Sequence, residues 1–182
     1  ENHRAKRLID YIKNGSKKQP HYLSFVNYSF WGEDTDVYAN LLAGLVDLPD
    51  KKLKNNIVNY LQKEKGDSSL PIKSCVNPIK ENSKFWRPYM LEYKQNYPEQ
   101  YHNGGIWPFS SCLWPMLIYK NGNKNKARQE LEKIAAVNKL NNWEFNEWLH
   151  GKIGKPMGIA GQSWNAGMFL LAYHYLNNEI KI

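Results

Sequence analysis

The feature of this chain that most constrains its fold is a repeated pairing of two kinds of helix. An almost uncharged segment from Val37 to Leu45 precedes a lysine-rich amphipathic segment from Lys51 to Lys63, and Leu48-Pro49-Asp50 makes the turn. The pairing returns as an uncharged run from Ile106 to Tyr119 and a charged helix from Lys124 to Lys139. A helix that is apolar all round must be buried on every side, whereas its amphipathic partner can cover it and still face water. We therefore predict an all-α fold of α-hairpins, with apolar helices inside and charged helices outside.

Two further helices and one irregular region complete the predicted organisation. His3 to Lys13 has the spacing of a short amphipathic helix with a basic outer face, and Ser163 to Leu176 forms a helix of mostly small and apolar residues. Pro115 lies inside the second uncharged run and is expected to kink it. Between Asp67 and Pro98, four prolines predict irregular structure with short helical or strand pieces.

Hairpins of this kind, repeated around an axis, give two concentric rings of helices, which is a helical toroid. The loops that lead into the inner helices then collect at one end of the array. In this chain those loops hold carboxylates, aromatic rings and glycines, whereas the loops of a plain four-helix bundle carry no such chemistry. At 182 residues the chain is long enough for one domain with a core. We predict a single helical domain over residues 1–182 whose functional loops meet at one end.

The segment from Trp143 to Asn165 is the first candidate functional region, since it shows neither a helical nor a strand period. It contains three tryptophans together with acidic, amide and glycine residues. Exposed indole surface costs free energy, so these rings need a cover. A carboxylate among aromatic rings suits general acid or base catalysis, because apolar walls tune its pKa. Since flat aromatic faces beside amides and acids also suit a sugar, the segment predicts half of a carbohydrate-hydrolysing site.

A second candidate is the loop Tyr101-His102-Asn103-Gly104-Gly105-Ile106-Trp107-Pro108. Its paired glycines permit unusual backbone angles or close approach of a ligand, and they lead into a helix whose first amide groups are free donors. The alternative is a structural turn with a capping Asn103 and a buried Trp107. The residues alone favour neither interpretation over the other.

A third candidate is Trp31-Gly32-Glu33-Asp34-Thr35-Asp36, which precedes the first apolar helix. Three carboxylates there are typical of helix capping, with Thr35 or Asp36 as the cap, and this interpretation is favoured. Their place at the head of an inner helix keeps a role in binding sugar hydroxyls open. Phe85-Trp86-Arg87-Pro88-Tyr89 forms either another aromatic wall or a staple that fixes the irregular region.

Composition narrows the classes of function. The formal net charge is +8, but the lysines lie on amphipathic helix faces, which argues against nucleic acid as a partner. Cys75 and Cys112 form no metal or redox spacing and are expected to be inert thiols in a reducing compartment. The sequence shows no signal peptide and no apolar run of eighteen residues, so we predict a cytoplasmic protein without membrane contact.

No cofactor or metal motif appears in the sequence. Zinc-ligand spacing, a phosphate-binding glycine loop, a dinucleotide fingerprint and a nucleophile elbow are all missing, so no metal and no organic cofactor are predicted. A hydrolase built from these residues works with carboxylates alone, which is the chemistry of glycosidases.

The motifs taken together carry a family resemblance. His102-Asn103-Gly104-Gly105-Ile106-Trp107-Pro108, followed by Glu147-Trp148-Leu149-His150-Gly151 and then by Gln162-Ser163-Trp164, resembles the C-terminal half of the (α/α)6-barrel glycoside hydrolases. Within that class it is most similar to the amylo-α-1,6-glucosidase (glycogen-debranching) type and to the neutral/alkaline invertases, over about residues 30–175. A full barrel of this class has twelve helices, so the resemblance implies that this chain forms about half of one.

The resemblance also implies roles for single residues. It places the catalytic base of an inverting reaction on Glu147, and it places the general acid, an aspartate, in the other half of the barrel. It places the sugar subsite on Tyr101 to Trp107 and on Gln162 to Trp164. With the residues from the other candidate loops, the predicted substrate-binding residues are Trp31, Asp36, Tyr101, His102, Asn103, Gly105, Trp107, Trp148, Gln162 and Trp164. Of these, Trp31, Trp107 and Trp164 are expected to stack on the sugar or enclose it, while His102, Asn103 and Gln162 bond its hydroxyls.

The residues around Glu147 bear on the substrate. The invertases carry Trp-Pro-Glu-Tyr-Tyr where this chain has Phe145-Asn146-Glu147-Trp148-Leu149, and this departure favours the debranching type, which hydrolyses α-glucosidic bonds of a glucan or oligosaccharide. The alternatives are an invertase-like sucrose hydrolase and a non-catalytic carbohydrate-binding or relic domain. The expected partners are the sugar substrate and either the N-terminal half of the same enzyme or a second copy of the chain. The isolated chain is expected to have little or no activity.

Overall fold

A computed structural model describes residues 3–14, 18–27 and 31–182 of the chain, and within these residues it is mostly helical. The helices are α1 (His3–Asn14), α2 (Val37–Leu45), α3 (Lys51–Lys65), α4 (Pro108–Ser111), α5 (Leu113–Lys120), α6 (Lys124–Asn138), α7 (Leu140–Trp143) and α8 (Ser163–Leu176), and a 3-10 helix spans Pro88–Lys94. Two short antiparallel hairpins pair β1 (Phe25–Val26) with β2 (Trp31–Gly32) and β3 (Trp148–Leu149) with β4 (Pro156–Met157). The predicted all-α class is therefore confirmed. Among the described helices, none is long and apolar enough to cross a membrane.

Side-chain caps define where the main helices begin. The Asp36 carboxylate accepts a hydrogen bond of 2.9 Å from the Ala39 backbone N–H, so Asp36, rather than Thr35, caps α2. Asp50 caps α3 in the same way, with 2.7 Å to the backbone nitrogen of Leu53. Each cap satisfies one of the backbone donors that the first turn of a helix leaves unpaired. The capping function predicted for the Trp31–Asp36 segment is thus confirmed for its last residue.

Pro115 breaks the second uncharged run into two helices. α4 ends at Ser111, α5 begins at Leu113, and Cys112 lies between them. Proline has no N–H to donate to the carbonyl four residues earlier, and its ring clashes with that carbonyl, which here belongs to Ser111. The break therefore falls one turn before the proline, as the sequence predicts. Phe109 on the short α4 lies at the end of the array that carries the loops.

The core lies where α5 packs against α2, α6 and α8. Its largest fully buried side chains include Leu41, Leu45, Ile57, Leu61, Trp114, Met116, Leu117, Ile134 and Leu176. The contact between α2 and α5 is close because Gly44 lies against Leu117, where an added Cβ would be 2.9 Å from a Leu117 methyl carbon. The charged helices α3 and α6 cover this core and keep most of their lysines towards water, as the pairing of helices predicts, with Lys65 as an exception.

A buried ion pair joins the two covering helices. Lys65 at the end of α3 places Nζ 3.1 Å from Oε2 of Glu130 on α6, and the two side chains are only 5% and 1% exposed. Lys133 pairs with the other oxygen of the same carboxylate at 2.8 Å. Burial lowers the pKa of Lys65 to about 8. The negative charge of Glu130 raises the pKa of Lys65, but the effect of burial is larger.

The apolar helices α2 and α8 are less buried than their sequences predict. Leu42 on α2, Val46 directly after it, and Leu170 and Tyr173 on α8 are each more than two-fifths exposed. Only Asn165, Ala172 and Leu176 of α8 are buried, although the helix has no polar face. Both helices pack against α5 on one side and present apolar surface on another. This is the arrangement expected of an arc of inner helices, in which further helices would cover the free sides.

Candidate carbohydrate site

The three loops singled out in the sequence meet at one pocket of about 560 Å³. Six of the residues predicted to form the site line it, namely Asp36, Tyr101, His102, Trp107, Glu147 and Trp164. Ser24, Asp34, Thr35, Tyr38, Ser74, Cys75, Phe109 and Ser110 complete the lining. The pocket therefore contains carboxylates, hydroxyls, a histidine and aromatic rings at the loop end of the helical array. Its volume lies in the range of pockets that bind small molecules.

The wall from Tyr101 to Trp107 is fixed by hydrogen bonds to one carbonyl group. The Tyr101 carbonyl oxygen accepts bonds from the Trp107 indole N–H at 3.1 Å, the Gly105 N–H at 2.9 Å and the Ser74 hydroxyl at 3.2 Å. The His102 ring stacks on the Trp107 indole, with 5.0 Å between the ring centroids and an angle of 5° between the planes. Because Trp107 is buried beneath His102, it supports this wall and does not present an open face for stacking.

Glu147 reaches the pocket from the hairpin of β3 and β4. Its backbone N–H donates to the Ile159 carbonyl at 2.9 Å, and its Oε2 accepts from the Ile159 N–H at 3.1 Å. Leu149, two residues on, exchanges two backbone hydrogen bonds of 2.8 Å with Ile106 in the neighbouring loop. The carboxylate is thus held in place by its own segment and by the Tyr101–Trp107 wall. A carboxylate has about four lone-pair sites, so its other oxygen can still accept a proton from water.

The His102 imidazole is influenced by two carboxylates that line the same pocket. Its partial burial lowers the pKa of the imidazole, while the carboxylates of Asp36 and Glu147 act in the opposite direction. A neutral imidazole has one donor and one acceptor nitrogen, which is what a sugar hydroxyl needs. Burial raises the pKa of Cys75 to about 12, so this pocket thiol is protonated at neutral pH and is no nucleophile. Within the described ranges, no group of three or more His, Cys, Asp or Glu residues is placed to hold a metal ion.

Two residues predicted to contact the sugar lie elsewhere. Trp31 stacks on Tyr11 of α1 with 4.1 Å between ring centroids, and its indole N–H donates to Glu33 at 3.3 Å. Asn103 is buried behind the wall, where its amide oxygen accepts from the Ile79 N–H at 2.7 Å and its NH₂ group donates to the Ile79 carbonyl at 2.8 Å. Its amide is therefore used to anchor the irregular region, which is a structural role of the kind considered for this loop.

Three further predicted site residues support the pocket from outside its lining. A Cβ on Gly105 would lie 2.5 Å from the Tyr101 carbonyl oxygen, so the glycine is required by the close packing of the loop. Trp148 is buried with its ring edge against Tyr101, 5.9 Å between centroids. The Gln162 side chain donates to the Ile159 carbonyl at 3.4 Å, next to the backbone that holds Glu147.

Sequence reasoning missed the aromatic residues that complete the pocket. Tyr38 in the first turn of α2 contacts Phe109 with 5.8 Å between centroids, and Phe109 contacts Trp164 at 5.6 Å. Trp164 remains 46% exposed, so its indole offers an open face beside the pocket. The sequence pattern places Tyr38 and Phe109 within apolar helices and does not mark them as site residues. The signal that marks them is their position within the first turn, next to the loops that carry the chemistry.

Asn165 is the residue that ties these parts together. Its side chain is fully buried, its amide oxygen accepts from the Phe109 N–H at 3.1 Å, and its NH₂ group donates to the Asn146 carbonyl at 2.8 Å. One side chain on α8 thus holds the start of α4 and the residue before Glu147. Asn165 directly follows the Gln162–Trp164 motif, and this position in the sequence could have indicated a role at the site.

We expect Asn165→Leu to lower the free energy of unfolding by about 1–3 kcal/mol, because it leaves a buried N–H and a buried carbonyl without partners at nearly constant side-chain volume. Urea denaturation followed by circular dichroism measures the change. The exposed Asn125 on α6 provides the matched control, and Asn125→Leu should change stability by less than about 0.5 kcal/mol. Equal effects of the two substitutions would contradict the structural role of the Asn165 amide.

Comparison with known proteins decides the family. The chain matches the model of the alkaline and neutral invertase family of glycoside hydrolases over residues 34–179. This range is most of the chain, and it includes the second and third loops and the last part of the first, from Asp34. The chain belongs to this family. The predicted resemblance to a glycoside hydrolase is thereby confirmed at the level of the enzyme class.

Individual members of the family are distant in sequence. The chain is 25% identical to alkaline/neutral invertase C, mitochondrial, of Arabidopsis thaliana over 96% of its own length and 26% of the relative. It is 24% identical to neutral/alkaline invertase 1, mitochondrial, of Oryza sativa subsp. japonica, over 84% of its own length and 23% of the relative. The chain thus spans about a quarter of the length of the curated relatives it matches.

The family assignment favours the invertase alternative over the debranching type. The predicted preference for the debranching type rests on the residues flanking Glu147, where this chain has Asn146, Trp148 and Leu149. The matched region extends far beyond those residues, from Asp34 to Glu179, and it is assigned to the invertase family as a whole. The departure at these three residues is therefore outweighed by the match over the rest of the chain.

Proposed function

We propose that this chain forms part of the active site of an invertase-type glycosidase that hydrolyses sucrose. The observation that carries the proposal is that Glu147 lines one pocket together with His102 and Asp36. The chain that forms this pocket belongs to the invertase family. The pocket also offers the exposed indole of Trp164, and a sugar ring stacks well on such a face.

In the proposed reaction Glu147 acts as general base. Its carboxylate takes a proton from a water molecule while the water oxygen attacks the anomeric carbon of the glucosyl unit. The glycosidic oxygen leaves with a proton from a general acid, and inversion requires the two carboxyl groups to be about 6.5–9.5 Å apart. Asp36 is engaged as the cap of α2, so we assign it to a sugar hydroxyl and assign the general acid to a segment outside this chain.

The experiment compares hydrolysis of sucrose and of isomaltose, an α-1,6-linked glucose disaccharide, by the protein that contains this chain. We expect release of glucose and fructose from sucrose, with the glucose formed first as the β-anomer, and much slower cleavage of isomaltose. Preferential cleavage of isomaltose would instead support the debranching type. Binding of sucrose without hydrolysis of either sugar would identify a non-catalytic binding domain. Polarimetry or NMR of the fresh product distinguishes inversion from retention.

A further inference from the structure

Gly158, in the loop that follows β4, lies against the carboxylate of Glu147. A Cβ atom added at Gly158 would be 2.4 Å from Glu147 Oε2, 2.9 Å from the Glu147 Cβ and 2.8 Å from Cδ1 of the Trp148 ring. All three distances are below 3.0 Å, a separation that Cβ atoms in proteins essentially never show. Any side chain at this position would therefore push the carboxylate, or the backbone that carries it, out of its place.

Gly158 is also an extra residue in the backbone pairing beside Glu147. In the hairpin of β3 and β4, Trp148 lies opposite Met157. Directly before Trp148, the Glu147 N–H donates at 2.9 Å to the carbonyl of Ile159, two residues beyond the partner of Trp148. One step along the first segment thus corresponds to two steps along the second, as in a β-bulge, and bulges beside active sites re-aim side chains.

The backbone conformation of Gly158 directs the next amide group at the carboxylate. Its φ of +72° lies in the left-handed region, which glycine adopts without steric cost. The N–H of Ile159 donates to Glu147 Oε2 at 3.1 Å. Within the described residues, Oε1 of the same carboxylate has no hydrogen-bond partner. The carboxylate is therefore held through one oxygen, and the other is left to accept a proton.

We propose that Gly158 is a positioning residue for the general base. Its missing side chain leaves the space beside Oε2, and the Ile159 N–H fixes Oε2 there, so that Oε1 is the oxygen that takes the proton from water. The inference rests on the proposed function, because it takes Glu147 as the base. A base acts only within hydrogen-bond reach, about 2.6–3.2 Å, of the proton that it removes. A displacement of about 1 Å can therefore lower the rate by about 10²-fold.

Gly158→Ala tests this role in the protein that contains this chain. We expect kcat for sucrose to fall by about 10²-fold, because the added methyl group displaces the carboxylate. KM should change little, since Gly158 does not line the pocket. Gly161→Ala is the matched control: Gly161 lies in the same loop with φ +80°, but a Cβ there would meet no heavy atom of a non-adjacent residue within 4 Å. Its kcat should stay within a factor of about two.

A double-mutant cycle separates positioning of Glu147 from general damage to the loop. In a Glu147→Gln background the base is absent, so Gly158→Ala should lower the remaining kcat by less than about threefold. Gly158→Asn, compared with Gly161→Asn, repeats the test with a residue that adopts the left-handed region more readily than alanine and still carries a Cβ. Circular dichroism and urea denaturation establish that each variant is folded.

The outcomes separate this inference from the proposed function. If Glu147→Gln lowers kcat and Gly158→Ala does not, the positioning role is refuted and Glu147 remains the base. An equal loss of kcat in the Gly161 variants also refutes it, as does an equal loss on Gly158→Ala in the Glu147→Gln background, or unfolding of both Gly158 variants. If Glu147→Gln keeps full kcat, or if the native protein does not hydrolyse sucrose, the proposed function is wrong and the inference fails with it.

Discussion

Replacement of Glu147 by glutamine should lower kcat for sucrose by about 10²–10⁴-fold, the usual contribution of a general base. Glutamine preserves the shape of the side chain, and its amide oxygen can still accept from the Ile159 N–H. It cannot take a proton from water, so the loss is confined to the chemical step and KM should change little. Steady-state kinetics of the protein that contains this chain measures both constants.

Glu144→Gln is the matched control for this substitution. Glu144 lies three residues earlier on the same loop, is exposed, and does not line the pocket that contains Glu147. Its replacement should leave kcat within a factor of about two, as expected of a surface change that alters stability by less than about 0.5 kcal/mol. Azide should restore turnover of the Glu147→Gln variant and give a β-glucosyl azide, because the anion attacks from the side that water occupies. Full kcat in the Glu147→Gln variant would refute the assignment of the base.

Replacement of Glu130 by glutamine should lower the free energy of unfolding at pH 7 by about 3–5 kcal/mol. The substitution removes the negative charge that Lys65 and Lys133 share and leaves the ammonium group of Lys65, 5% exposed, beside that of Lys133. A buried charge without a partner destabilises the folded state by more free energy than the intact pair contributes to stability. The remaining ion has lost its contact with water and also its partner. Urea denaturation gives the difference between the two proteins.

The pH dependence of this difference tests its electrostatic origin. In the native protein Lys65 has a pKa of about 8, below the ordinary value of 10.5, so the unfolded chain binds more protons between these values and stability gains from Lys65 as the pH rises. Without Glu130 the pKa of Lys65 in the folded state falls further, so in the variant the rise of stability with pH begins at a lower pH. The difference between variant and native protein should therefore narrow from pH 7 to pH 9.5. The exposed Glu132 on α6 is the control, and Glu132→Gln should have little effect at either pH.

The local pattern of the sequence was sufficient for the helices. The change from apolar to amphipathic segments locates α2, α3, α6 and the pair of α4 and α5 within a few residues. Each pattern indicates which face of a helix is buried, and it can be recognised from that segment alone. The break before Pro115 follows from a missing N–H and a local clash, and it too was predicted. The short hairpin of β3 and β4 was not, since its two-residue strands show no period and are held by pairing across the loop.

The sequence by itself thus determined the helical class, the end of the array where the site lies, and the residue types that a sugar site requires. Only the tertiary structure decided which of those residues face the pocket. Trp31 and Asn103 have the right chemistry, but Trp31 stacks on α1 and Asn103 is used by the Ile79 backbone. Asn165, in contrast, positions the segment of Glu147 through contacts with Phe109 and Asn146 that are distant in sequence. The physical reason is that a polar side chain bonds to whichever backbone group folding brings within about 3 Å, and local sequence carries no information on that distance.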